Sequence, residues 1–148
     1  MTAARRISSR APALAMAALM ALAVPAQAAM AAVEGLPPLR AVAEIDDGLL
    51  WVALADEFRD RCADIDARML TALWYLNSLK RTALEMGYSR DQVRAYLKSD
   101  DEKARMRARG GAYLAAHGVD PDDDAGLCAL GRAEIDRNSR IGTFLKAK

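Results

Sequence analysis

The chain has 148 residues, with 21 Lys+Arg against 20 Asp+Glu, one histidine and two cysteines. That length suits one domain, and the near balance of charge excludes whole-molecule attraction to nucleic acid. Aromatics are 5% against an apolar share of 53%, so the apolar mass is mostly Ala and Leu, which excludes a β-sandwich and favours helix.

Residues 1–10 carry Arg5, Arg6 and Arg10 and no acid; the apolar run Ala11–Val24 follows, then Pro25 and Ala26-Gln-Ala28. A basic start, a short apolar stretch and a small-residue site make residues 1–28 a cleaved signal peptide. The run ends short of the roughly 20 apolar residues that a membrane span needs, so no transmembrane anchor is expected after cleavage. The expected mature chain is Ala29–Lys148, periplasmic or secreted, with acids in slight excess once the three arginines are gone. In an oxidising compartment the two cysteines read as one disulfide, Cys62–Cys128. Closing that loop removes about 4 kcal/mol of denatured-state entropy in the chain model.

The mature chain reads as all-α: a compact bundle of four to five short helices with one disulfide. Residues 29–44 form an extended leader around Pro37-Pro38, and residues 45–148 a single helical domain. Asp46 or Asp47 caps a first helix whose apolar face is Trp51, Leu54, Ala55, Phe58 and Cys62. A second helix starts near Asp64 and repeats Ile65, Met69, Ala72, Leu76, Leu79, Ala83 and Met86 in steps of three and four, until Gly87 stops it. Ser89-Arg-Asp-Gln92 and Ser99-Asp-Asp-Glu102 are capping boxes. The first opens a short helix with Val93, Tyr96 and Leu97. The second opens a longer one to about His117, with Met106, Gly110, Tyr113 and Leu114 inward. Gly110-Gly111 in mid-helix costs about 1 kcal/mol per residue against alanine, a cost that a closely packed backbone would offset. A last helix runs from about Asp124 to Asn138, with Leu127, Cys128, Leu130 and Ile135. Ile141, Phe144 and Leu145 make an apolar tail able to dock on the bundle.

The segments Leu36-Pro-Pro-Leu-Arg40, Glu44-Ile-Asp-Asp-Gly-Leu-Leu50, Asn77-Ser-Leu-Lys80 and Lys103-Ala-Arg-Met-Arg-Ala-Arg109 form one part of a familiar pattern. Ala112-Tyr-Leu-Ala-Ala116, Gly118-Val-Asp-Pro121, Gly126-Leu-Cys-Ala-Leu-Gly-Arg-Ala-Glu-Ile135 and Ile141-Gly142 form the rest. Together they resemble a domain-of-unknown-function family of small exported alphaproteobacterial proteins. The resemblance implies an exported helical domain and carries over no activity and no site residues.

Chemistry-bearing residues are few. His117, one residue before the helix-ending Gly118, suits a role on terminal carbonyls better than that of a catalytic base. Asp120, Asp122 and Asp124 match the first three ligand positions of a calcium loop. The required glycine is Ala125 and the bidentate glutamate is Gly131, so they remain a weak metal candidate. No glycine loop cradles a phosphate and no cofactor is expected. The acids Asp56/Glu57, Asp64/Asp66 and Asp100/Asp101/Glu102 could serve a glycosidic mechanism if two faced each other. Lys103, Arg105, Arg107 and Arg109 form a possible interaction surface for an unknown envelope protein or an anionic surface. The reading favoured is a non-enzymatic binding module of the cell envelope. Its alternatives are a carboxylate-only envelope hydrolase and an acid-activated periplasmic chaperone.

Overall fold

A computed structural model describes residues 35–148. The signal peptide expected over 1–28 and the start of the leader lie outside the described residues. Five helices form: α1 (Ala43–Arg61), α2 (Met69–Glu85), α3 (Arg90–Lys98), α4 (Asp100–Ala116) and α5 (Asp124–Asp136). Two three-residue strands, β1 (Ile65–Ala67) and β2 (Leu145–Ala147), pair antiparallel with Asp66 opposite Lys146. The all-α class holds, with one short strand pair that the sequence pattern did not announce.

Helix α1 starts at Ala43, behind Val42, which stands four residues ahead of the earlier of the two expected caps, and has no side-chain cap. Asp46 and Asp47 therefore lie inside its first two turns. The expected apolar face is in place: Leu54, Ala55, Phe58 and Cys62 are buried and Trp51 is half-buried against them. They meet Ile65, Leu114, Leu127, Leu130, Ile141, Phe144 and Leu145 in the main core. A smaller cluster at the other end of α1 joins Leu39, Ile45, Ala83, Tyr88 and Val93. The leader is thus not extended throughout its described part. Leu39–Ala41 forms a 3₁₀ turn that buries Leu39, and the Tyr88 hydroxyl donates to the Pro37 carbonyl at 2.5 Å.

Helix α2 starts at Met69 and not near Asp64. Ile65, counted as its first inward residue, is fully buried on β1 instead, because the chain past Cys62 turns to pair with the C-terminal tail. The tail is docked. Arg68 donates its backbone N–H to Phe144 O (2.7 Å) and its Nε to Leu145 O (2.9 Å), and Lys148 N reaches Asp64 O (3.0 Å). Gly87 ends α2 with φ 101°, a conformation that favours glycine. Ser89 and Gln92 complete a capping box for α3. Ser99 accepts from Glu102 N at 3.3 Å, but the Glu102 side chain turns to arginines, so the second box is only half made.

Cys62, at the C-terminal end of α1, and Cys128 on α5 are joined by a disulfide, with Cα atoms 5.5 Å apart. Further along α5 Gly142 touches the helix: a Cβ there would stand 1.9 Å from Glu134 O, so only glycine fits. Reduction of the disulfide, or paired Cys62→Ser and Cys128→Ser substitution, is expected to lower the unfolding free energy by about 2–4 kcal/mol in a urea titration. An unchanged midpoint would remove the bridge from the account.

Candidate functional site

The polar interior of the molecule is organised around Asp46. The residue is 4% exposed and its carboxylate receives four hydrogen bonds. Oδ1 accepts from Tyr96 Oη (2.5 Å) and from Arg105 Nη2; Oδ2 accepts from Arg105 Nη1 (3.0 Å) and Arg109 Nη1 (2.5 Å). Arg109 also reaches Asp47 (2.6 Å), and Arg105 reaches Glu102 (2.8 Å), which in turn pairs with Arg40. Three carboxylates thus meet three guanidinium groups, and the set ties α1, α3, α4 and the leader turn together. Burial alone would push the Asp46 carboxyl up. Hydrogen bonds from Arg105 and Tyr96 and the charges of Arg105 and Arg109 outweigh it and hold the group below the ordinary Asp range. Burial, and then donation to this carboxylate, pushes the Tyr96 phenol up to about 12.

Away from that cluster another buried carboxylate, Glu134, is fully enclosed on α5 and accepts from Tyr113, Arg137 and Ser139. Burial followed by that contact pushes Tyr113 up to about 12. Among the described residues no buried side-chain nitrogen or oxygen lacks a partner. The three buried acids, Asp46, Glu102 and Glu134, are therefore absorbed in holding the fold together.

The basic run of α4 is divided by this arrangement. Arg105 and Arg109, one helical turn apart, face inward to Asp46. Lys103 pairs on the surface with Asp100 (3.1 Å), and Arg107 makes no ion pair among the described residues. Lys103 and Arg107 lie on a groove of about 470 Å³ between α1 and α4. Its floor is Leu50, Leu54, Met106 and Leu114, and Gly110-Gly111 forms part of its wall. The closely packed backbone expected against those glycines is absent. A Cβ on Gly111 would meet nothing within 4 Å, and one on Gly110 only Leu54 Cδ2 at 3.8 Å.

A different surface lies on α2, where the sequence Leu70-Thr-Ala-Leu-Trp-Tyr-Leu76 is apolar at nearly every angle. Tyr75 and Ala72 pack on the main core, whereas Leu70 is 74% and Trp74 78% exposed, with Leu73 and Met69 about half exposed. A helix that is apolar all round needs cover on every side; here the outer side has none within the described residues. Asn77, Ser78 and Arg81 border this face. Counting only the inward stripe passed it over. The available signal was that Leu70, Leu73 and Trp74 fall outside the stripe through Met69, Ala72 and Leu76.

The remaining sequence candidates sit in ordinary places. Asp123 caps α5 through Gly126 N (3.0 Å), Asp120 accepts from Asp122 N (2.9 Å) and Asp124 pairs with Arg61, so the acidic loop is a helix entry. Among the described residues no group of three His, Cys, Asp or Glu side chains could hold a metal. Asp56, Glu57, Asp64, Asp66 and Asp100 each face a cation: Arg59, Arg61, Arg132, Lys146 and Lys103. His117 bonds through Nδ1 with the Tyr113 carbonyl at 2.8 Å and lies on the Tyr113 ring.

Residues 37–146 match a family described as "Family of unknown function (DUF5333)". The chain belongs to that family. No curated protein and no solved structure matches it. The DUF5333 match runs from Pro37 to Lys146, so it takes in the Asp46 cluster, the α1–α4 groove and the α2 face. Each of these is therefore read from its own chemistry.

The sign of the pH effect follows from Asp46. Its folded pKa lies below its unfolded value of about 3.9, so its contribution is full above that value and is lost as pH falls through the folded pKa. Unfolding free energy should stay level from about pH 5 to 7 in this respect and decline below about pH 4. Asp46→Asn is expected to cost about 2–3 kcal/mol at pH 7, less than the ~3–5 of a fully buried pair because both arginines are partly exposed. It should also flatten the acid decline. Denaturant titrations at pH 3.5 and 7 check both, and an Asp46→Asn protein as stable as the parent would contradict the cluster's role.

Proposed function

We propose that this chain is exported and acts outside the cytoplasm, in the periplasm or beyond, as a non-enzymatic binding module that docks another protein through the outer face of α2. Export is supported by the residue order of positions 1–28 and by the disulfide, which persists in oxidising compartments. Among the described residues no helix is long and apolar enough to cross a membrane. The observation that carries the binding reading is the pairing of Leu70 and Trp74, about three-quarters exposed, on a helix anchored through its opposite side. Aromatic anchors with polar rims are the usual centres of protein interfaces.

A carboxylate hydrolase fits less well, because the paired surface acids face arginines and lysines and the three buried ones hold the fold together. An acid-activated chaperone is also disfavoured. It would need the bundle to loosen in mild acid, whereas Arg105, Tyr96 and Arg109 hold the Asp46 carboxyl below the ordinary Asp range. The apolar α2 face, moreover, is already exposed in the folded chain.

The test is a photo-crosslinking amino acid at position 70, with position 94 on the solvent side of α3 as control, in cells expressing the full chain. A discrete adduct at 70 is expected, reduced by more than about ten-fold by Trp74→Asp, as for loss of a hot-spot residue. An adduct of twice the chain's mass would identify the docked protein as a second copy. No adduct, or the same adducts from both positions, would overturn the proposal.

A further inference from the structure

Independently of the α2 face, we infer that the groove between α1 and α4 is a binding site for a single-chain anionic amphiphile, a fatty-acid-like carboxylate. Three features of the groove point to one ligand chemistry. The floor is aliphatic, built from Leu50 and Leu54 on α1 and from Met106 and Leu114 on α4. The rim on α4 is cationic: Arg107 has no acidic partner among the described residues, and the ion pair of Lys103 with Asp100 is largely solvated on both sides, which makes it weak and easily exchanged. The wall between floor and rim is Gly110-Gly111, which carries a helix-propensity cost and has no close backbone packed against it. Groove volume, about 470 Å³, is in the range of small-ligand sites.

The same lining argues against a peptide. Every polar side chain on the groove is charged (Glu57, Arg61, Lys103, Arg107), and Arg61 is already committed to Asp124 and Glu57. No neutral amide or hydroxyl lines it, and the helix backbones of both walls are bonded internally. An extended peptide would bury its own N–H and C=O groups there without partners, which is costly. A helical peptide satisfies its backbone, but a helix is ~10 Å across with a 5.4 Å pitch, so a single turn would fill the groove. An alkyl chain has no such groups to satisfy, and its carboxylate would sit at the mouth between Lys103 and Arg107.

The experiment is calorimetric titration of the disulfide-bonded mature protein with decanoate, dodecanoate and tetradecanoate below their micelle concentrations. Dodecanol serves as the neutral counterpart, and phosphatidylglycerol vesicles test a membrane source of the charge. Affinity should rise about four-fold per added CH₂ until the groove is full, and dodecanoate should exceed dodecanol by about two- to five-fold, a difference lost in Arg107→Gln. Gly111→Leu is the deciding variant. It fills open space on a helix, so its melting temperature should equal or exceed the parent's while dodecanoate binding falls by more than about ten-fold. Absence of dodecanoate binding, binding unchanged in Gly111→Leu, or binding only to vesicles would overturn the inference. So would a helical peptide found to displace a bound alkyl probe through a site that Gly111→Leu leaves intact.

Discussion

The fold depends on a carboxylate that is taken out of water. Asp46 stands on the first turns of α1, and its charge is sustained only because two guanidinium groups from α4 and a phenol from α3 reach it at once. An unpaired carboxylate in that position would be costly. The position of α4 relative to α1 is thereby set by charge and hydrogen-bond geometry as well as by apolar packing, and the near end of the two helices is held by polar contacts. Leu114 and the main core hold the far end. Between these anchors lie Gly110 and Gly111, where the helices are not in close contact and the groove opens.

The disulfide and the strand pair perform a comparable task at the other side of α1. Cys62–Cys128 joins α1 to α5, and β1–β2 sews the chain's last residues to the segment following α1. With α1 held from both ends, α2 needs to bury only one side to be fixed, through Ala72, Tyr75, Leu79 and Ala83. Its outer side can then stay apolar and free without loss of order. That is the physical basis for reading it as a docking face: an exposed apolar surface presented on a rigid element keeps its shape for a partner.

Much of this was legible in the residues. Helix content, the stop at Gly87, the entry at Ser89, the α1 core face and the cysteine pairing all follow from spacing and residue type. Three features did not. Asp46 looked like a cap, since an acid near a helix start ordinarily is one; its engagement with Arg105 and Arg109, about sixty positions away, leaves no local trace. The strands are three residues long, too short to show a period of two, and Ile65 happened to fall in phase with the α2 stripe. The basic run on α4 reads as one interaction surface, and nothing in one helix tells which of its arginines will find a buried acid on another. Gly110-Gly111 was the reverse case. Its cost was visible in the sequence, but the expected close backbone is absent and an open groove stands in its place.

The central claim is that Asp46 and Arg105 are energetically coupled and set the α1–α4 geometry. A double-mutant cycle with Asp46→Ala, Arg105→Ala and the pair, measured by urea unfolding at pH 7, tests it most directly. The account predicts a coupling energy of about 1.5 kcal/mol or more, at the upper end of what contacting residues show. Additivity within about 0.3 kcal/mol would mean that the two residues stand side by side without holding the helices together, and would contradict it.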